Sequence, residues 1–104
     1  MRIVSLSVLA AAAALSFAAT PASASGVIKC NAGPVSGWKS QDTLKVRLVK
    51  EGWVVRKAKV DGGCYEVYGT TPEGDRVEAY FHPVSLEKLY VAKRGQVLFR
   101  KAGY

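Results

Sequence analysis

Three patterns of apolar and polar positions follow one another along the chain. Residues 3–17 form a largely apolar, alanine-rich run behind the single charge of Arg2, and Ala22-Ser23-Ala24 follows it with small residues. Residues 40–52 are amphipathic but ambiguous. Leu44 and Leu48 share one helical face, whereas Leu44, Val46 and Leu48 also alternate with Lys45 and Arg47, as a strand would. The capping residues favour a helix: Ser40 suits an N-cap, Asp42 the first turn, and Gly52 the position that ends it. From residue 53 the pattern is β. Trp53 to Val60 is rich in β-formers, Asp61-Gly62-Gly63 offers a tight turn, and Cys64 to Gly69 is the next strand. Thr71-Pro72-Glu73-Gly74 fits a type I turn. Arg76 to Phe81 then alternates, with Val77, Ala79 and Phe81 on one face and Arg76, Glu78 and Tyr80 on the other. Pro83 ends that run. Leu89 to Ala92 and Val97 to Arg100 predict a further hairpin around Arg94-Gly95.

The first pattern changes the count of residues available to fold. A charged start, an apolar stretch and a small-residue site are the three parts of a secretory signal peptide. Cleavage is expected between Ala24 and Ser25. A membrane span needs ~20 apolar residues, and Ser5, Ser7, Thr20 and Pro21 interrupt this run. No transmembrane segment is expected after cleavage, and 80 of the 104 residues remain. These divide into an irregular lead-in, 25–37, and one domain, 38–104, with a basic extension from about residue 88. One helix on an antiparallel sheet of three to five strands makes an α+β domain.

An exported domain of this size has a thin core and often carries a disulfide. Two cysteines permit one intramolecular pair, Cys30 with Cys64. Two cysteines and one histidine at unrelated spacings do not make a zinc motif, and no C-x-x-C is present.

Charge points to acidic partners. The net charge of +7 includes Arg2, so the exported chain keeps +6. Lys45, Arg47, Lys50, Arg56, Lys57 and Lys59 fall close together in sequence, and Lys93, Arg94, Arg100 and Lys101 mark a basic C-terminus. Such a surface suits an anionic envelope surface or polymer. Export argues against nucleic acid.

Residues that would carry catalysis are sparse. His82 lacks a G-x-S-x-G or H-E-x-x-H context. Glu66 and Glu78 are expected on neighbouring strands, but glutamates on the polar face of a sheet are ordinary, with Arg56, Lys57 and Arg76 available to pair them. Aromatic residues are the better lead, because Trp and Tyr combine apolar area with a polar handle. Trp53, Tyr65 and Phe81 are expected in the core. Tyr68 and Tyr80 share strand faces with charged residues and are expected at the surface. Tyr68, Tyr80, Glu66, Glu78 and Trp38 are the candidate binding residues.

The ordered set of a tryptophan, a helix, Gly52-Trp53, a basic strand, Asp61-Gly62-Gly63-Cys64-Tyr65-Glu66-Val67-Tyr68-Gly69, a glycine turn and Arg76-Val77-Glu78-Ala79-Tyr80-Phe81-His82-Pro83 resembles a small exported PepSY domain, over about residues 38–85. PepSY domains also occur in the propeptides of thermolysin-like metalloproteases. The resemblance implies a helix packed on an antiparallel sheet, no catalytic role, no cofactor, and regulation or inhibition of a peptidase by binding. The partner would be another exported protein or peptide, in the periplasm or outside the cell. Many members have an acidic residue before the proline and a threonine-glycine turn after it. Here the chain reads His82-Pro83-Val84-Ser85-Leu86, so the turn lacks its glycine.

Overall fold

The computed structural model describes residues 26–104, and the expected signal peptide with its cleavage point at Ala24 and Ser25 lies outside the described residues. After a single 3-10 turn, Val35–Gly37, come helix α1, Gln41–Lys50, and five strands: β1 Val54–Asp61, β2 Cys64–Thr70, β3 Arg76–Phe81, β4 Lys88–Lys93 and β5 Gln96–Arg100. The strands form one antiparallel meander in the order β1-β2-β3-β4-β5.

The caps resolve the ambiguity of residues 40–52 in favour of a helix. Ser40 Oγ accepts the Thr43 N–H at 3.0 Å, and Asp42 stands in the first turn. At the other end Trp53 N–H donates to Leu48 C=O at 2.9 Å and Gly52 N–H to Val49 C=O at 3.0 Å. That pair of bonds is a Schellman motif, with Gly52 left-handed at φ 100°. It brings Trp53 onto Leu48, so the cap opens directly into the core.

That core lies between α1 and one face of the sheet. Leu44 and Leu48 meet Trp53, Tyr65, Val67, Val77, Ala79, Phe81, Leu86 and Val91. Trp53, Tyr65 and Phe81 are buried as expected, and Trp53 stands edge-on to Phe81 at 5.9 Å. The segment before the helix is tied down by Tyr65, whose hydroxyl donates to Lys39 C=O at 2.7 Å. Gly69 lets β1 and β2 approach: a Cβ there would strike the Val54 carbonyl oxygen. Gly69→Ala is therefore expected to cost about 1–3 kcal/mol, or roughly 4–8 °C in Tm per kcal/mol for a domain this small, read by thermal unfolding.

The opposite face is covered too, which alternation does not predict. Ile28, Cys64, Tyr80, Leu89, Tyr90 and Ala92 form a second cluster, with Cys30 and Tyr104 at its margin. The lead-in reaches this face through the Cys30–Cys64 disulfide and a Cys30 N–H···O=C Gly62 bond of 2.8 Å. The Gly62-Gly63 turn sits so close that a Cβ on either would collide with the carbonyl of Ile28 or Cys30, and both glycines have positive φ. Two glycines are needed there for both space and backbone conformation.

The further hairpin expected around Arg94-Gly95 forms, and within the basic extension from about residue 88 strands β4 and β5 complete the sheet. The β3–β4 turn closes without its glycine. Leu86 adopts φ 63°, and its N–H donates to His82 C=O at 2.7 Å. The left-handed conformation is unfavourable for leucine, and burial of its side chain in the main core offsets it. His82 serves this turn: its Nδ1 accepts the Val84 N–H at 3.1 Å.

Candidate binding surfaces

The antiparallel register gathers four of the five candidate binding residues on the second face. Glu66 pairs with Tyr80 and Tyr68 with Glu78 across β2 and β3, and β1 sets Lys59 beside Glu66 and Lys57 beside Tyr68. Trp38 is elsewhere. Its ring stands edge-on to Tyr65 at 5.6 Å and its Nε1–H donates to Gly33 C=O at 3.1 Å, so it pins the lead-in against the helical face.

Burial corrects two of these residues. Tyr80, expected at the surface, is fully covered because Ile28 and Tyr90 pack over its face. Its hydroxyl donates to Asp61 Oδ2 at 2.7 Å, and the same oxygen accepts the Gly26 N–H at 2.6 Å. Those two bonds hold Asp61 below the usual carboxylate range, and burial with the Asp61 bond pushes Tyr80 upward. Glu66, expected as a surface charge, has a side chain with 0% exposure. Its nearest cation is Lys59 Nζ at 3.7 Å, not Arg56, Lys57 or Arg76. Neither of its oxygens makes a well-formed hydrogen bond; the Glu78 carboxyl and Tyr68 hydroxyl are its other neighbours. Burial and the Glu78 carboxyl push Glu66 up to about 7. Tyr68 is half-buried, lies under Lys57 and Lys59 at 5.5 and 5.7 Å, and is pushed up to about 12 by burial and Glu66.

The basic residues do not make one patch. Lys45, Arg47 and Lys50 ride on α1, whereas Lys57 and Lys59 face the other side of the sheet. Lys45 pairs with Asp42 at 3.9 Å and Arg47 with Glu51 at 3.3 Å. Arg56 is the extra residue of a β-bulge between Val55 and Lys57, and it lines a hollow of about 180 Å³ with Tyr68, Arg76, Val77, Glu78, Ala92 and Arg94.

The structure adds a third surface. The edge strand β5 exposes Val97, Leu98 and Phe99. Beside it runs a cleft of about 390 Å³ whose apolar wall is Trp53, Pro72, Val91, Leu98 and Phe99. Glu51, Glu73, Asp75 and Lys88 rim it. In the sequence, the consecutive apolar residues 97–99 signal only half of a hairpin; that they lie at an open edge emerges from the order of the strands. Among the described residues there is no group of three or more His, Cys, Asp or Glu side chains placed to hold a metal ion, and no helix is long and apolar enough to cross a membrane.

Comparison with curated proteins and with solved structures finds no match. Comparison with protein families matches residues 8–90, which takes in α1 and the strands from β1 into β4, to the peptidase propeptide and YPEB domain. The cap into Trp53, the double-glycine turn and the Tyr65-Glu66-Val67-Tyr68 strand all fall within that match, and the chain belongs to the PepSY family.

Proposed function

We propose that this protein is an exported, non-catalytic PepSY module that regulates a peptidase by binding an extended polypeptide segment along β5. Family membership supports the class of function, and the Cys30–Cys64 disulfide is in keeping with an oxidising, extracytoplasmic location. The observation that carries the binding mode is the contrast in charge between the two sheet edges. Each edge carries a bulge, at Arg56 in β1 and at Leu98 in β5. β1 also presents Arg56, Lys57 and Lys59, and charges along an edge discourage strand addition. β5 has neither Pro nor a central charge, and exposes three consecutive apolar residues. An added strand would bond to its free backbone groups and set alternate side chains against the Trp53–Phe99 cleft. On the rim, Glu51 and Asp75 are paired with Arg47 and Lys93, and Glu73 is the carboxylate outside those pairs that favours a segment with a basic residue beside its apolar ones.

The test is inhibition and binding against the exported peptidases of the host, with the mature protein and a Leu98→Asp/Phe99→Ser variant. The expected result is at least tenfold weaker binding by the variant with unchanged thermal stability. Failure of the wild-type protein to bind or inhibit any of them overturns the proposal.

A further inference from the structure

A different surface carries a second kind of ligand. Arg56, Arg76 and Arg94 arrive from three places: the β1 bulge, the first residue of β3 and the β4–β5 turn. All three line the hollow beside Tyr68. Arg76 and Arg94 also line an adjoining hollow of about 440 Å³ with Gly74 and Lys93. We propose that these joined hollows form a binding site for a phosphate-bearing anion, held by the three guanidinium groups against the Tyr68 ring.

Three observations converge on it. First, none of the three arginines forms an ion pair among the described residues, although five acids do pair, with Lys45, Arg47, Lys59, Lys93 and Lys101. Glu78 is the acid in the lining, and it faces the Glu66 carboxyl. Second, local structure is distorted at two of the three arginines. A regular strand would send Arg56 and Lys57 to opposite faces, and the bulge re-aims Arg56. Arg94 occupies a two-residue hairpin turn with Gly95 at φ 52° and 79°. That geometry calls for Asn, Asp or Gly at the first position. Arg94 is exposed, so no burial of its side chain offsets the conformation, unlike Leu86. An exposed residue held in an unfavourable conformation points to use of its side chain. Third, guanidinium groups match phosphate oxygens bidentately, which makes arginine the fitting residue for phosphate recognition.

Inorganic pyrophosphate is the probe for the free anion, and phosphatidylglycerol vesicles, with phosphatidylcholine vesicles as control, are the probe for a lipid source. Calorimetry and chemical-shift mapping on the mature, oxidised protein read the first, and co-sedimentation reads the second. Arg94→Gly is the informative variant, because glycine accepts the turn and only the cation is lost. It is expected to keep or raise Tm while weakening binding at least fivefold, and Arg56→Gln/Arg76→Gln/Arg94→Gly is expected to weaken it fiftyfold or more. Lys45→Gln/Lys50→Gln removes two charges from α1 and is expected to change affinity less than twofold. Binding of pyrophosphate, or of phosphatidylglycerol vesicles alone, with this ranking of variants supports the site and identifies its source. Absence of binding to both probes, or equal losses in the α1 and Arg94 variants, overturns it. Neither outcome bears on the β5 edge.

Discussion

Removing both cysteines, as Cys30→Ala/Cys64→Ala, is expected to lower stability by about 4 kcal/mol in the chain-entropy account of cross-links. The bond joins residues 34 apart in sequence, and the open loop it forbids in the unfolded chain is correspondingly large. A domain whose stability is of the order of 5–15 kcal/mol tolerates few losses of that size. The bond also has a local task. It holds the lead-in against the second face, where Ile28 is 2% exposed beside Cys64, Tyr80 and Leu89. Without it, that short segment keeps one backbone bond to Gly62 and one from Gly26 to Asp61. Urea unfolding of the oxidised protein, the reduced protein and the double variant checks both effects. The expected outcome is a lower midpoint together with a steeper slope, because the uncrosslinked unfolded chain exposes more surface. The double variant avoids the lone thiol that a single replacement would leave. A loss below about 1 kcal/mol would show that the second face is held by packing alone.

The main helix, its two caps, the hairpins and the face assignments of β2 and β3 were legible because each is written in contiguous residues. Ser40, Gly52 and the Gly62-Gly63 pair act on their own backbone or that of near neighbours. What was not legible depends on residues that meet only after folding. Alternation correctly put Tyr80 and Glu66 opposite the helical core. It gave no sign that the lead-in and the C-terminal residues would cover them, since residues 26–30 and 101–104 have no periodicity. Proximity in sequence also misled. Lys45 to Lys59 look like one basic cluster, yet the sheet stands between α1 and the Lys57 and Lys59 side chains. The arginines that do converge are far apart in the chain. The signal that was present is Arg94 itself, an arginine where an Arg-Gly hairpin turn demands positive φ.

Stability of the wild-type protein is expected to fall between about pH 5 and pH 8, and Glu66→Gln is expected to abolish that fall. Glu66 has an ordinary value of 4.5 and is pushed up to about 7 in the folded protein. Between those values the native state keeps a proton that the unfolded chain has released. Stability then decreases as pH rises, because the unfolded state binds fewer protons. The contribution is fully present below about 4.5 and is lost as pH passes through about 7. Desolvation is the largest cause, followed by the Glu78 carboxyl, while Tyr68 and Lys59 act in the opposite direction. Lys59 Nζ at 3.7 Å is half-exposed and offsets only part of the cost. Asp61 works with the opposite sign: its lowered value stabilises the fold above 3.8 and that stability is lost as pH falls further. The interval from pH 5 to 8 therefore separates the two groups. An amide at position 66 keeps the shape, carries no charge and has hydrogen-bonding groups to offer to Tyr68 and Glu78. At pH 8 the variant should exceed wild type by on the order of 2 kcal/mol, since a tenfold change in proton affinity is worth ~1.4 kcal/mol. At pH 5 the two should be close. Thermal unfolding of both proteins across this interval reads the difference, and parallel pH profiles would mean that Glu66 ionises in the folded state as readily as in the unfolded chain.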